Sequence, residues 1–230
     1  MNHEQEFSMS NKTGFSLIEV VLAIGIFLVT VLALVGLLGP TLQSVDEVEK
    51  TDEVSSIVNT VNAFLQNSPS IAAGSNFEAI FNAVADATIN NPATLFVYQA
   101  YRDNSEAVQL KVGFEDSITV VDADKASVTV PNLADAAGTI YRVVLTPSSV
   151  IPLTGSDASG SSVTYRSSSR DTSTDAYTLE VDYDEYFEGS FAMEVRIYAE
   201  DPGPSFIYSK ALTILKDEVP VFTYNTAVVR

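Results

Sequence analysis

The sequence predicts an α+β protein, in which a long N-terminal helix, transmembrane and then amphipathic, precedes a head with an antiparallel β-sheet. Two observations predict this fold. Residues 15–39 form an apolar run, and a helical pattern of apolar residues follows over residues 40–67. Beyond residue 92 the chain changes to short runs rich in Val, Ile, Tyr, Phe and Thr, separated by Asp, Asn, Gly and Pro. Such runs are typical of strands, and strands that follow helices indicate an α+β architecture.

The apolar run 15–39 is long enough to cross a membrane. About 25 residues at about 1.5 Å each give a helix of about 37 Å, against a hydrocarbon core of about 30 Å. The only polar side chains in the run are those of Ser16, Glu19 and Thr30. A cleaved secretory signal has a shorter apolar region and a small-residue cleavage site, and the sequence has neither. The run therefore predicts a transmembrane helix.

The helix is predicted to continue over residues 40–67 as an amphipathic helix. Its apolar residues recur at the helical spacings i, i+3, i+4, i+7 and i+11, namely Val54, Ile57, Val58, Val61 and Leu65. Asn67-Ser68-Pro69 ends the helix. The stripe is expected to pack on the head that follows.

The head, residues 68–230, is predicted to contain a second helix and several strands. The helix begins at the capping-box sequence Ser75-Asn76-Phe77-Glu78 and ends at Asn90-Asn91-Pro92. The predicted strands are Thr94–Arg102, Val108–Phe114, Ile118–Val121, Ser127–Val130, Thr139–Thr146, Tyr177–Tyr183, Phe191–Ala199, Phe206–Leu215 and Val219–Val229.

One segment of the head, residues 154–175, is rich in Ser, Thr and Gly. Such a segment is either a flexible loop or a contact element, and the composition favours a flexible loop. Val163-Thr164-Tyr165 is compatible with a brief strand. Arg166 and Arg170 are two of the few cations that can meet an acidic neighbour.

The composition excludes several classes of function. Lys and Arg number 12 against 30 Asp and Glu, which gives a net charge of -18. So acidic a surface repels phosphate backbones and anionic headgroups, so we expect no binding to nucleic acid and no basic membrane-binding patch. The chain has no Cys, and its single histidine is His3. Without Cys there is no thiol nucleophile, and His3 lies in an N-terminal segment that is predicted to be removed, so the mature chain would have no catalytic triad or His-ligated zinc. We therefore expect the protein not to be an enzyme.

Clustered carboxylates in a predicted turn are a candidate calcium site. Asp182, Asp184, Glu185 and Glu188 lie between two predicted strands, just before Gly189. Carboxylates on a loop can supply the six to eight oxygens that calcium takes. The spacing matches no known motif, so a solvated acidic turn without a metal is the favoured interpretation. No other cofactor is expected.

A short motif opens the apolar run and reads Gly14-Phe15-Ser16-Leu17-Ile18-Glu19-Val20. It resembles the processing and methylation signal of type IV prepilins and type II secretion pseudopilins. In that family a short hydrophilic leader ends in Gly, prepilin peptidase cleaves after it, and the new N-terminal residue, usually Phe, is N-methylated. An acid recurs at the fifth mature position, which Glu19 occupies here. The resemblance covers only about residues 9–66.

The resemblance implies a cleaved leader over residues 1–14, N-methylation of Phe15, and an assembly contact made by Glu19. It implies a minor pilin or pseudopilin, a structural subunit of a type IV pilus-like or type II secretion filament. Such a subunit is held in the inner membrane by one pass, with its C-terminal head in the periplasm. The implied partners are other pilin or pseudopilin subunits, prepilin peptidase and the inner-membrane assembly platform.

Two further interpretations stand beside this one. The overall layout is also similar to the Verru_Chthon cassette proteins, a pilin-like group of unknown role. The competing class is a membrane-anchored periplasmic binding module that does not polymerise.

The leader departs from the family pattern in its charge. Glu4 and Glu6 oppose Lys12, so the positive charge expected on the cytoplasmic side is small. Translation from Met9 instead of Met1 would leave a short leader with Lys12 as its only charged side chain.

The helix departs from the family pattern at its hinge. Many pilins place a proline about 22 residues into the mature helix, where this chain has Gly36. Pro40 clashes with the carbonyl of Gly36, and Gly39 adds backbone freedom, so Gly36, Gly39 and Pro40 are the predicted hinge. An isolated subunit is expected to keep a continuous or mildly kinked helix there, and a filament is expected to unwind it.

Overall fold

The structure, a computed structural model, describes residues 14, 16–69, 71–72, 75–101, 108–116, 127–134 and 136–230, with the backbone alone for 38–47 and 49. The helices are α1 (Leu17–Asn67), α2 (Phe77–Ala85), α3 (Val130–Ala134) and α4 (Leu212–Leu215). The strands are β1 (Ala93–Tyr101), β2 (Val108–Glu115), β3 (Ser127–Val128), β4 (Ala136–Pro147), β5 (Thr154–Ser156), β6 (Ser162–Thr164), β7 (Ser190–Glu200) and β8 (Phe222–Val229). The fold is therefore α+β, as predicted.

Helix α1 carries one apolar segment near the N-terminus. Residues Leu17–Leu37 are long and apolar enough to cross a membrane, with a mean hydropathy of 3.0, a feature shared by single-pass anchors and signal sequences. The chain divides into two compact units, the first ending at Asp52 and the second running over Glu53–Arg230. We call the second the sheet unit.

The sheet unit is built on six strands in the order β3-β2-β1-β4-β7-β8. All neighbours are antiparallel except β2 and β3, where Phe114 pairs with Ser127 and Glu115 with Val128 in parallel. The expectation of a wholly antiparallel sheet is therefore wrong, and the sheet is mixed. The pattern of apolar residues identifies a strand but not the direction of its neighbour. The chain between β2 and β3 is long enough for the crossover that parallel pairing requires.

One face of the sheet, which we call the helix face, is covered by α1 and α2. The predicted stripe is confirmed in its main members, because Ile57, Val61 and Leu65 are buried in a core that includes both helices and the sheet. Phe64 also joins this core and contacts Phe114, with ring centroids 5.9 Å apart. The core therefore forms between the amphipathic end of α1 and the central strands.

Helix α2 begins where predicted, although its N-terminus is not a capping box. The hydroxyl of Ser75 accepts from the backbone N–H of Phe77, at 3.2 Å, and the N-cap residue Asn76 makes no side-chain capping bond to α2. The Asn76 amide instead donates to the carbonyls of Phe64 and Leu65, at 3.3 and 3.0 Å. Carbonyls in the last turn of a helix lack intrahelical donors. Asn76 therefore joins the start of α2 to the end of α1.

Two predicted strands are not strands. The segment 177–183 makes one isolated bridge, between Leu179 and Arg166, and ends in a 3₁₀ turn at Tyr183–Glu185. Residues 206–215 cover the sheet face opposite the helix face, where Phe206 and Tyr208 pack against the apolar cluster around β1. Both segments bury apolar side chains without pairing in the sheet, which the alternation of residue types does not reveal.

Three further predicted elements differ from the structure in length or lie outside the described residues. The segment Ser127–Val130 gives only the two-residue strand β3 before α3 begins. Helix α2 ends at Ala85, before the predicted stop at Asn90-Asn91-Pro92. Ile118–Val121 lies outside the described residues.

Residues 154–175 form defined contacts, which favours the contact-element alternative over the flexible loop. Strands β5 and β6 make a hairpin, so the brief strand predicted near Val163 is confirmed. Asp157 accepts hydrogen bonds through Oδ1 from the backbone of Ser159 and Ser161, both at 2.8 Å, and closes the turn. Short polar side chains that bond nearby backbone are typical of such turns.

The hairpin packs on a buried tyrosine. Tyr165 is fully buried, and its ring centroid lies 4.8 Å from that of Tyr186. A Cβ at Gly155 would lie 2.0 Å from ring atom Cζ of Tyr165, so only glycine fits there.

We expect Gly155→Ala to lower the free energy of unfolding by about 1–3 kcal/mol, because the added methyl displaces a ring in a packed core. Gly189→Ala is the matched control, since a Cβ there meets nothing within 4 Å. Denaturant unfolding of the full-length chain in detergent, followed by circular dichroism, measures both. Equal stability of the two variants would contradict the packing of Tyr165 on Gly155.

Candidate functional site

The first turn of α1 contains the residues of the processing motif. Helix α1 begins at Leu17, and the carbonyl of Ser16 accepts from the backbone N–H groups of Glu19 and Val20, at 3.0 and 3.2 Å. Glu19 is therefore in the first helical turn, where a carboxylate is favoured by the helix dipole. Gly14 is exposed, and Phe15 lies outside the described residues.

Glu19 stands in a surface that is otherwise apolar. Every side chain over residues 16–37 is exposed in the single chain, and most are large and aliphatic. The Thr30 hydroxyl donates to the carbonyl of Ile26 at 2.8 Å, so its polar group is satisfied within the helix. Within the part of the chain that the structure describes, Glu19 makes no side-chain hydrogen bond or ion pair. An apolar surface of this extent belongs in lipid or against other helices.

A second set of polar groups, which the sequence analysis did not identify, lies on the face of the sheet opposite α1 and α2. We call it the charged face. Arg142 of β4 is fully buried there. Its guanidinium donates to both carboxylate oxygens of Glu200 on β7, at 2.8 and 3.1 Å, and to the carbonyls of Tyr208 and Ile207, at 2.8 and 2.5 Å. The planar fork of an arginine suits such bidentate contacts.

Lys210 extends this network. Its ammonium group donates to Glu200 and to Glu218, at 2.9 Å each. Burial alone would lower the pKa of Lys210, but its hydrogen bonds to these two carboxylates and their negative charge raise the pKa above its ordinary value. Together, Arg142 and Lys210 hold the segment 206–218 on the charged face.

A second group of ion pairs lies nearer the start of β7, on the same face of the sheet. Glu194 accepts from Arg196 at 2.8 Å and from Arg170, while Arg196 also reaches the carboxylate of Asp175 at 3.3 Å. Burial would raise the pKa of Glu194, but hydrogen bonds from the two arginines outweigh it and hold the pKa below its ordinary value. Arg170, one of the few cations available to meet an acidic neighbour, therefore pairs with Glu194 of the same chain.

Arg166 behaves differently from Arg170. Its guanidinium donates to the carbonyls of Ile151, Ser167 and Ser149, at 2.7, 2.9 and 3.0 Å, and lies 4.7 Å from the ring centre of Tyr177. Arg166 therefore uses its guanidinium on backbone carbonyls and on an aromatic ring. It joins the loop at 149–151 to the segment after β6.

One sequence signal could have indicated the charged face. In β7 the residues Phe191, Met193, Val195 and Ile197 alternate with Glu194, Arg196, Tyr198 and Glu200. Alternation of this kind is usually interpreted as one buried and one solvated face. Opposite charges two residues apart, at Glu194 and Arg196, indicate instead a face that is covered and internally paired.

The candidate calcium residues do not form a recognisable metal site. Asp182 precedes the 3₁₀ turn Tyr183–Glu185, and Glu188 follows it. Among the described residues, no group of three or more His, Asp or Glu side chains is placed to hold a metal ion. Calcium binding by Asp182, Asp184, Glu185 and Glu188 stays a prediction.

Comparison of this chain with protein families, with curated proteins and with solved structures gives no match. The functional argument therefore depends on the motif at Gly14–Glu19 and on the geometry of the described residues.

The ion pairs of Glu194 with Arg170 and Arg196 are expected to stabilise the fold by an amount that decreases at acid pH. A carboxylate whose folded pKa is depressed stabilises the fold above its unfolded pKa, near 4.5, and this contribution is lost as the pH falls through the folded pKa. We expect Glu194→Gln to cost about 3 kcal/mol at pH 7, because it leaves Arg170 and Arg196 with Asp175 as their only described counter-charge. We also expect the variant to lose part of the decline in stability below pH 4.5.

Denaturant unfolding of the full-length chain at pH 7 and at acid pH measures both effects. The exposed Glu180→Gln is the matched control and is expected to follow the unsubstituted protein at every pH. If the free energy of unfolding of Glu194→Gln declined below pH 4.5 as steeply as that of the unsubstituted protein, Glu194 would not be the source of the acid sensitivity.

Proposed function

We propose that this protein is a minor pilin or pseudopilin, a structural subunit of a type IV pilus-like or type II secretion filament. One observation carries the proposal: Gly14 lies just before a long apolar helix whose first turn contains Glu19, the acid without a partner among the described residues. The α+β sheet unit packed on the amphipathic end of α1 supports it.

In this proposal the protein is processed and assembled from the inner membrane. Prepilin peptidase cleaves after Gly14 on the cytoplasmic side, and the new amine of Phe15 is methylated. The segment from Phe15 to Gly39 then anchors the subunit in the membrane with its C-terminal head in the periplasm. An assembly platform in the inner membrane inserts the subunit among the other pilin or pseudopilin subunits.

Cleavage gives Glu19 its partner. A lone carboxylate at the centre of a membrane helix costs about 2.5–3.5 kcal/mol, and a lone amine at the membrane is also costly. The Phe15 amine of the same chain is four residues away, and the amine of a neighbouring subunit offers an equivalent charge. Pairing relieves both costs, and pairing between chains sets the axial position of one subunit against the next.

The first test is the mature N-terminus. We expect intact-mass spectrometry of the protein purified from membranes to show a chain that begins with N-methyl-Phe15. Gly14→Val is the control and is expected to leave the leader attached, because it replaces the Gly that ends the leader in the family that the motif resembles. An intact N-terminus in the unsubstituted protein, or one beyond Pro40, would refute the proposal.

The second test is the carboxylate. We expect Glu19→Ala to insert in the membrane and to be cleaved after Gly14, but to co-purify poorly with its partner subunits. Thr30→Ala is the matched control, since it removes a polar group of the same helix that already bonds Ile26. Co-purification of Glu19→Ala at the level of the unsubstituted protein would show that this carboxylate is not an assembly contact.

The hinge belongs to the same proposal. Helix α1 includes residues 36–40. Unwinding at Gly36, Gly39 and Pro40 in a filament stays a prediction, because proline removes one backbone donor there and glycine offers little resistance.

The alternative function, a membrane-anchored periplasmic binding module, is favoured by a different observation. A half-open cleft of about 460 Å³ lies beside the end of β4, with Leu145, Asp171 and Tyr177 among its lining residues. Its volume is within the range of small-molecule sites. A protein of this class would show the membrane anchor without cleavage after Gly14 or filament partners.

A further inference from the structure

Strand β8 forms one edge of the six-stranded sheet. It has eight residues and pairs with β7 on one side, and no described strand pairs with it on the other. The opposite edge, β3, has only two residues. Short strands protect a sheet edge, whereas a long unpaired edge is a template for another strand. The two edges of this sheet therefore differ in their capacity to bind.

The hydrogen bonds define which backbone groups of β8 point outwards. The N–H of Arg230 donates to the carbonyl of Gly189 at 3.0 Å, so even-numbered residues of β8 bond to β7. In an antiparallel ladder the alternate residues bond to the other side. The outward groups belong to Thr223, Asn225, Ala227 and Val229. The Ser75 hydroxyl, which donates to the carbonyl of Val229 at 3.5 Å, approaches from that side.

Strand β8 lacks the residues that usually protect a sheet edge. Its sequence, Phe222–Val229, contains no Asp, Glu, Lys, Arg or Pro, although charged residues and proline are the usual protection of edge strands. Phe222, Thr223 and Asn225 are exposed. Two copies with a net charge of -18 each repel one another over most of their surfaces. The uncharged edge is where that repulsion is smallest.

We propose that β8 is a self-association edge, which pairs antiparallel with β8 of a second copy around Asn225. In this register Asn225 lies opposite Asn225 of the other copy, and Thr223 lies opposite Ala227. The outward backbone N–H and C=O groups of Thr223, Asn225 and Ala227 in each strand then all have partners in the other strand. The carbonyl of Val229 is left to Ser75, with which it already interacts.

The side chains in this register are compatible. On the helix face, Phe222 lies opposite Val228 and Tyr224 opposite Thr226, which are aromatic and β-branched pairs of the kind that stabilise sheets. On the charged face, the Asn225 amides lie side by side. The oxygen Oδ1 of Asn225 already accepts from the Ser148 hydroxyl at 2.7 Å, which leaves the amide N–H groups to donate across the pair. No like charges oppose one another.

Pairing of one strand buries little area compared with a standard stable interface of about 1,600 Å². We therefore expect β8 to associate when copies are concentrated in one membrane, and only transiently in dilute detergent solution. The inference does not rest on the proposed filament role, because the edge is formed whether or not the chain is cleaved after Gly14.

Cysteine cross-linking tests the register, since the chain has no Cys of its own. Directly opposed residues of a bonded antiparallel pair have Cα atoms about 5.5 Å apart, within the range of disulfides. The full-length variants Asn225→Cys, Thr223→Cys and Ala227→Cys are reconstituted in vesicles and treated with copper phenanthroline. We expect Asn225→Cys to form a disulfide-linked dimer roughly tenfold more than either other variant alone.

The two other variants are matched controls on the same face of the same strand. In the proposed register each of these cysteines is displaced from its own copy by about 14 Å along the strand, which is too far to link. An equal mixture of Thr223→Cys and Ala227→Cys is expected to give linked heterodimers, because those positions oppose each other. Circular dichroism of each variant checks that the sheet is retained.

Two results would overturn the inference. One is the absence of a linked dimer for Asn225→Cys in vesicles. The other is linkage of all three variants to a similar extent, which indicates random collision or parallel pairing. Cleavage after Gly14 is measured on the same samples by mass, so a failure of self-association is distinguishable from a failure of the proposed processing.

Discussion

The ion pair between Arg142 and Glu200 is the interaction on which the closure of the sheet depends. Strands β4 and β7 are central and buried on both faces, but α1 and α2 cover only one of them. Much of the other is covered by residues 206–218, a segment that is irregular apart from the short helix α4, and its backbone groups need partners once they leave water. Arg142 supplies donors to two carbonyls of that segment and to Glu200 at once. Its charge is thereby neutralised where water is excluded, and the rings of Phe96 and Phe206 lie 4.9 and 5.6 Å from it.

Because arginine and lysine side chains are used for contacts within the fold, the surface charge is dominated by carboxylates. The chain has only 12 cationic side chains. Many of those described donate to groups of the same chain: Arg142, Arg166, Arg170, Arg196, Lys210, Lys216 and Arg230. Few cations therefore remain to balance exposed carboxylates. Among the described residues, the apolar part of α1 beyond Glu19 and the edge strand β8 are two surfaces without such a charge, and the proposed self-association uses the second of them.

The sequence predicted those features of the fold and of the candidate site that are marked by residues close together in the chain. The apolar run and the stripe at Ile57, Val61 and Leu65 repeat at helical spacing, so they indicated the helix and its buried side. The segments 177–183 and 206–215 have the composition of strands, but their apolar residues cover the sheet instead of joining it. The ion pairs Arg142–Glu200 and Arg170–Glu194 join residues that are 58 and 24 positions apart in the chain, and no local pattern identifies such partners. The candidate motif at Gly14 and Glu19 is contiguous, which is why the sequence indicated it.

Glu19 is different from the buried carboxylates of the sheet unit. Glu194 and Glu200 each have two cationic partners within the fold. The free energy of burying those charges is therefore offset when the chain folds. Glu19 lies in an apolar helix and has no such partner among the described residues. In the function we propose, the charge that offsets this cost is the amine of Phe15, which becomes available only when the leader is cleaved or when a neighbouring subunit supplies it.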